Sequence, residues 1–477
     1  MFDIAVVGLG ATGVSLIKQL QDAVYNFNLP KPKIAVFNPM QTFARGEAFG
    51  SADMIHKVNT PPDMLAISHS EPDAFSNWLE KQGNYERYPN RFLYADFLSY
   101  SYKSVAESDV LDICEFNVEV GNIEKENTHF VVHGGDFLIK ARKIVLCLGA
   151  LASPTFSFAK SATPNFWEQV NEIDKSVVLV AGSGLTAVDI VRTLAKNNNE
   201  IHLFSRSGFA PTCLRVTSNN KYIPKFLTWD NIIRNSNRSS GNLDCFLNLL
   251  QREREVIACS DEFNKSIQFL NECNVSEYFL TLMEASKNSC LPYQDTLVST
   301  RPYMHKLWIS MSERERLQFQ GLIGSHWAAW RHPIPYEVIE ELYNLSVDKK
   351  LFIHKGCVIE QDGKEFGLNL GSGKIKALNF IDGTGGCNNI ENIDNILIKN
   401  LLSNKMIEPS LTGGIKINPV TYNCIVDNKN IQNMYNLGAL NKGELFSTNA
   451  HWFNVLCVGN WVKQWVFENF RILERGE

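Results

Sequence analysis

The sequence predicts an α/β fold with two βαβ units in series, and three observations carry that expectation. Two segments, 3–38 and 176–206, each read as an apolar strand, a glycine-rich turn, a helical pattern and a second apolar strand. Each is followed by short alternating strands, over 116–148 and 351–385, that end at glycine. Residues from about 228 to 330 are rich in Leu, Glu, Asn and aromatics at helical spacing, which predicts a mostly helical insertion.

A chain of 477 residues is too long for one compact core, so two or three domains are expected. The boundaries fall at 1–165, 166–345 and 346–477, the last returning to the first domain. Net charge is −5 and the basic residues are spread along the chain, which argues against a nucleic-acid partner. The eleven cysteines contain no Cys-x-x-Cys pair, so neither a zinc ribbon nor a redox disulfide is expected, and no metal. No apolar run approaches the ~20 residues of a membrane helix. The first residues enter a strand with no basic leader or cleavage site, so a cytoplasmic protein with no membrane partner is expected.

The first unit opens with the strand DIAVV (3–7) and the turn GLGATG (8–13). Gly8 lets the strand turn, Gly10 lets backbone approach a pyrophosphate, and Gly13 lets helix and strand pack closely. The amides of Ala11 and Thr12 at the helix start then face the phosphates, aided by the helix dipole. The helix runs to about Val24, and Pro30 and Pro32 precede the second strand, IAVFN (34–38). That strand ends in Asn38 where an acid would hold an adenosine ribose; an amide can bond a hydroxyl but lacks the charge. The later strands close in KIVLCLGA, ending near Gly149.

The second unit repeats the plan with SVVLVA (176–181), then Gly182, Gly184, Leu185, Thr186 and Ala187, and a helix to about Lys196. Its second strand ends in Ser205-Arg206 with no acid, and a hydroxyl beside a guanidinium suits the 2′-phosphate of NADPH. Arg215 is a second candidate for that phosphate. The closing strands end at Gly383-Thr384-Gly385-Gly386. Apolar positions at Phe453, Leu456, Val462, Trp465, Val466 and Phe470 predict a terminal amphipathic helix over 451–473. Together these elements predict two Rossmann-type dinucleotide-binding domains with a helical insertion.

Several stretches between these elements can be quoted: RGEAFG (45–50), HKVNTPPDML (56–65), EPDAFSNWL (71–79), YPNRFLYADFL (88–98), GSGLTAVD (182–189), SRSG (205–208), WAAWRHPIPYEV (327–338) and MYNLGALNKGELF (434–446). In these the chain resembles the bacterial FAD/NAD(P)-binding flavoprotein family (YdhS-like) and, more distantly, the class B flavin monooxygenases, including the N-hydroxylases. The resemblance implies that Arg45, Gly46, His56, Asn59 and Met64 line a flavin. It also implies that Arg91 helps hold the FAD domain and that Gly438 approaches the FAD pyrophosphate. The Baeyer–Villiger fingerprint is absent, since IGSHWAAW (323–330) has the wrong spacing. The N-hydroxylase Ala-Thr-Gly-Tyr pattern is met only loosely at Gly383–Gly386.

The activity implied is an FAD- and NADPH-dependent monooxygenase that hydroxylates a nitrogen or sulfur of a small molecule, such as an amine or amino acid, through a C4a-hydroperoxyflavin. An NADPH-dependent flavin reductase or dehydrogenase without oxygen insertion is the alternative, as is a flavin-bound redox sensor or assembly protein. A plain NAD-dependent dehydrogenase would require only one nucleotide unit. The flavin carries the chemistry, so the sequence needs no catalytic triad. His326 and His332 flank Arg331 in a Trp-rich patch that either lines a substrate cavity or forms an aromatic packing cluster.

Overall fold

A computed structural model describes residues 1–151, 155–156, 166–217, 221–236, 241–257, 262–272, 274–288, 290–356, 358–370, 373–385 and 389–475. The chain divides into two compact units, the first of Met1–Ser153 and Gly386–Glu477, the second of Pro154–Gly385. The first unit begins with β1 (Phe2–Val7), β2 (Lys33–Phe37), β3 (Asp112–Phe116), β4 (Val120–Lys125), β5 (Phe130–Gly134) and β6 (Phe137–Leu146). The second holds β7 (Val177–Ala181), β8 (Glu200–Ser205), β9 (Leu351–Lys355), β10 (Val358–Asp362), β11 (Glu365–Leu370), β12 (Gly373–Ala377) and β13 (Asn379–Asp382). The first unit then resumes with β14 (Asn423–Val426) and β15 (Lys429–Asn436).

In the first unit β15, β6, β1, β2 and β3 lie in that order as a parallel sheet. β14 pairs antiparallel to β15, while β4 and β5 form an antiparallel meander onto β6. Ile4, Ala5, Val6, Ile34, Ala35, Val36, Ile144 and Val145 are completely buried, as expected where helices cover both faces of a parallel sheet. The helix Ala11–Phe27 runs three residues past Val24 and stops at Asn28, whose φ of 49° is left-handed, ahead of Pro30. Against it lies the terminal helix His451–Arg475: Gln19 Nε2 donates to the Val455 carbonyl at 3.2 Å. Phe453, Val462, Trp465 and Val466 are buried in that helix. Between β2 and β3 lie two further helices, Ala74–Lys81 and Arg91–Ala106.

In the second unit β13, β7, β8 and β9 form an all-parallel sheet in that order, and β10–β12 make a separate antiparallel one. The expected return to the first unit at 346 therefore falls at Gly386, because β9 and β13 pair with this unit's own strands. Only part of 351–385 is an antiparallel meander; its first and last strands are parallel members of the main sheet. Between Trp229 and Arg331 the described residues of the insertion form a series of separate helices. Its core is aromatic: the Trp327 ring meets Phe246 at 5.6 Å and Phe319 at 5.5 Å, and Trp308 meets Phe319 at 5.7 Å. Within it Glu253 is completely buried and accepts hydrogen bonds from the Tyr222 hydroxyl and from the amides of Lys225, Phe226 and Leu227.

Among the described residues no helix is long and apolar enough to cross a membrane. Cys114, Cys147, Cys213, Cys245, Cys290, Cys424 and Cys457 are free thiols; Cys259, Cys273, Cys357 and Cys387 lie outside the described residues.

Candidate nucleotide-binding sites

In the first unit the carboxyl ends of β1, β2, β6 and β15 converge on the start of the helix Ala11–Phe27. Gly8 has φ +100°, and a Cβ there would lie 2.4 Å from the Cys147 carbonyl oxygen. A Cβ on Gly13 would lie 2.3 Å from the Gly8 carbonyl oxygen, so the helix packs directly on the turn. Gly10 is the N-cap of the helix and supplies no side-chain cap, and the first turn holds no acid. The free amides and the positive end of the dipole thus stay available for an anion.

Two further glycines close around this turn. Gly46, at φ +68°, brings its backbone so near that its Cβ would lie 2.8 Å from the Gly10 Cα. Gly438, at φ +106° just past β15, would place a Cβ 3.1 Å from Thr12 Oγ1. Gly149, at φ +74°, lies just past β6 and has open space around it.

Asn38 is buried and turned back onto the glycine loop. Its Oδ1 accepts the Leu9 amide at 2.8 Å, and its Nδ2 donates to the Pro39 carbonyl at 2.8 Å and to Thr42 Oγ1 at 3.0 Å. Both amide hydrogens are spent within the protein, so a ribose hydroxyl could only donate to the remaining lone pair on Oδ1.

The bonds of the remaining first-unit candidates go to neighbouring loops and helices. Arg45 pairs with Asp96 at 2.6 Å and lies over the Phe92 ring at 4.8 Å. His56 is fully buried; its Nδ1 accepts the Asp53 amide at 3.1 Å and its carbonyl accepts the Arg91 amide at 2.8 Å. Arg91 Nε donates to the Lys57 carbonyl at 3.2 Å. Asn59 and Met64 are half-buried, on the loop and the 3-10 turn Pro62–Met64.

No local pattern announces the Tyr94–His451 pair. Tyr94 Oη lies 2.6 Å from His451 Nε2, joining the helix Arg91–Ala106 to the start of the terminal helix. Burial raises the Tyr94 hydroxyl well above its usual range and lowers the His451 imidazole to about 4, although a bond to the Ala66 backbone opposes the latter. The tyrosine therefore keeps its proton and donates it to a neutral ring. A second unannounced feature is Phe446, whose φ of 64° and ψ of −58° mark a strained turn just before that helix. Nearby in sequence, Ser447 Oγ, Asn454 Oδ1 and Asn436 Oδ1 are buried without a hydrogen-bond partner among the described residues.

The second unit rebuilds the same device. Gly182 has φ +101°, and its Cβ would lie 2.5 Å from the Gly383 carbonyl oxygen. Gly184 caps the helix Leu185–Ala195 with φ −86° and ψ −163°, against −80° and −161° at Gly10, and again without a side-chain cap. Its Cβ would meet nothing within 4 Å, so the space above the turn is open. Thr186 is half-buried, and a Cβ on Gly385 (φ +91°) would lie 3.7 Å from its Oγ1. Gly386 lies outside the described residues.

Ser205 serves the turn: its Oγ accepts the Gly208 amide at 2.9 Å and bonds Ser183 Oγ at 2.9 Å. Arg206 is exposed at the end of β8 and pairs with no described residue. Arg215, by contrast, is spent: its Nε and Nη2 grip the two oxygens of the buried Asp295. In the Trp-rich patch His326 packs ring on ring, stacking on Tyr293 at 5.5 Å and meeting Phe209 at 5.4 Å.

Burial, with Arg254 nearby, lowers His326 to about 4, and burial beside His202 does the same to His354. With His451, three imidazoles thus resist protonation when folded and accept it near pH 6.5 when unfolded. The unfolded chain binds more protons across that window, so stability falls as pH drops from about 6.5 toward 4. Thermal melts should show this slope, and His326→Gln should flatten it; a pH-independent midpoint across the window would contradict the burial of these rings.

Residues 5–151 match a protein family described as FAD-NAD(P)-binding. Comparison with curated proteins returns no match. Among solved structures, the reduced form of an ornithine hydroxylase from Pseudomonas aeruginosa aligns with a TM-score of 0.61 at 12% identity, covering 98% of this chain and all of that one. A bacillithiol disulfide reductase from Bacillus cereus aligns with 0.51 at 10% identity, covering 98% and 99%. OTEMO in complex with FAD and NADP aligns with 0.53 at 13% identity, covering this chain fully and 85% of that one. At these identities the likeness establishes a fold, that of flavoproteins with two dinucleotide-binding domains.

Proposed function

We propose that the chain is an FAD- and NADPH-dependent oxidoreductase, with FAD on the first unit and NADPH on the second, and that it acts as a monooxygenase on a nitrogen or sulfur of a small molecule. The observation that carries the proposal is the duplicated cradle: two glycine turns with matching dihedrals, each opening an uncapped helix. An uncapped helix start leaves its first amides and the positive end of its dipole open to an anion, and a pyrophosphate fits that place. The match of 5–151 to an FAD-NAD(P)-binding family supports a dinucleotide on the first cradle, where the proposal puts the flavin.

Gly8, Gly10, Ala11, Thr12 and Gly13 would hold the FAD pyrophosphate, with Gly46 and Gly438 bringing backbone alongside. Asn38 would accept a ribose hydroxyl. Arg45, His56, Asn59, Met64, Arg91 and Gly149 would fix the surrounding loops. The orphaned oxygens of Ser447, Asn436 and Asn454 fit a polar ligand on this unit. Gly182, Gly184, Leu185, Thr186 and Gly385 would hold the NADPH pyrophosphate. Bound flavin supplies hydride acceptance and oxygen chemistry, while the chain binds, orients and excludes water.

Arg206 is the residue proposed for the 2′-phosphate. Arg206→Ala should weaken NADPH roughly 10- to 100-fold, the scale of one charge-assisted contact, and leave NADH nearly unchanged. Titration of both coenzymes checks this; equal losses would remove the assignment.

The direct test is to purify the protein, record its absorbance and add NADPH or NADH without oxygen. A yellow protein bleached faster by NADPH is expected, and a colourless protein that takes up no flavin would refute the proposal. A disulfide reductase shares this fold, which favours a reductase without oxygen insertion as the second reading. Oxygen consumption with a hydroxylated product separates the two.

A further inference from the structure

The helix Gly324–Arg331 ends in an arginine that is only 2% exposed. Its Nη1 lies 3.3 Å from His332 Nε2, and its guanidinium sits 5.8 Å from the Trp327 ring centre. Nε and Nη2 are buried and have no hydrogen-bond partner among the described residues. A second cation adds repulsion: Arg301 Nη2 donates to the Arg331 carbonyl at 3.4 Å, and no described carboxylate pairs with Arg331.

Those two nitrogens form one edge of the guanidinium, with parallel N–H groups spaced to meet two carboxylate oxygens. Two other arginines of this unit show that edge in use. Arg192 places Nε 2.6 Å and Nη2 3.0 Å from the two oxygens of Glu341. Arg215 holds Asp295 through the same two nitrogens. Arg331 presents this edge with no acid among the described residues to fill it, although buried charges are retained where they are paired.

We propose that the Nε–Nη2 edge of Arg331 receives the carboxylate of a small organic acid, with Arg301 adding to the attraction. The Trp327 ring beside the guanidinium favours an acid with an apolar body. Burial and the Arg301 charge lower the Arg331 guanidinium to about 9, as an unfilled anion site would. The test reads binding of the acid alone and does not depend on turnover.

The full chain is titrated calorimetrically with sodium acetate, benzoate and glutarate, with benzamide as the uncharged counterpart of benzoate and sodium chloride at matched ionic strength. The expected result is saturable binding of at least benzoate, with none by benzamide. Arg331→Lys keeps the charge but lacks the paired edge, and should bind roughly 10-fold or more weakly. Should Arg331→Lys not fold, Arg301→Gln replaces it and should weaken benzoate a few-fold. The proposal fails if no acid of the panel binds, if chloride gives the same signal as benzoate, or if these substitutions leave benzoate affinity unchanged.

Discussion

Gly8→Ala is expected to give a folded protein without flavin, whereas Gly182→Ala should keep the flavin and lose its reduction by NADPH. Both glycines sit near φ +100°, which costs an L-residue about 1–3 kcal/mol. At both, the added Cβ would fall within 2.5 Å of a carbonyl oxygen, from Cys147 in one case and Gly383 in the other. Neither oxygen can yield without moving strand-end backbone, so each turn must open. Absorbance near about 450 nm reports the first effect. Reduction of retained flavin by dithionite but not by NADPH reports the second. If either variant behaves like the other, the assignment of one nucleotide to each unit is lost.

Glu253→Leu should be among the most destabilising single substitutions in the second unit. Burial raises this carboxyl, but the Tyr222 hydroxyl and the amides of Lys225, Leu227 and Phe226 more than offset that and hold it below the usual range. Leucine removes the acceptor and leaves three backbone donors and a phenol facing apolar packing. Such stranded groups cost roughly 2–4 kcal/mol together, a fall on the order of 10 °C in the melting midpoint of a unit this size. Glu253→Gln should lose less, since one carbonyl oxygen survives. Calorimetry of the two variants checks the ranking, and a midpoint within about 1 °C of wild type for Glu253→Leu would show that the segment 222–228 does not depend on this anchor.

The parts of this fold legible in the sequence are those set by local spacing. Gly8, Gly10 and Gly13, and Gly182 and Gly184, announce their turns because buried strands leave no other way to start a helix so tightly. Tertiary choices were illegible. Nothing in HKVNTPPDML shows that His56 is satisfied by its own loop, and nothing at Arg215 shows that Asp295, eighty residues away, claims it. The strands of 351–382 alternate as an antiparallel meander would, yet β9 and β13 are parallel, because strand direction depends on the partner and not on the pattern. His451 lacked any local signal, since its partner lies 357 positions earlier.

The bonds of Asn38 bear on the order of assembly. A carboxylate in that position could accept the Leu9 amide but could not donate to the Pro39 carbonyl or Thr42 Oγ1, whereas the carboxamide does both and ties the glycine turn to the loop after β2 beforehand. Little conformational entropy then remains to be lost at the moment of capture. A preparation stripped of its nucleotide should therefore keep this corner in place and regain the cofactor in one rapid step, without passing through a loosened intermediate.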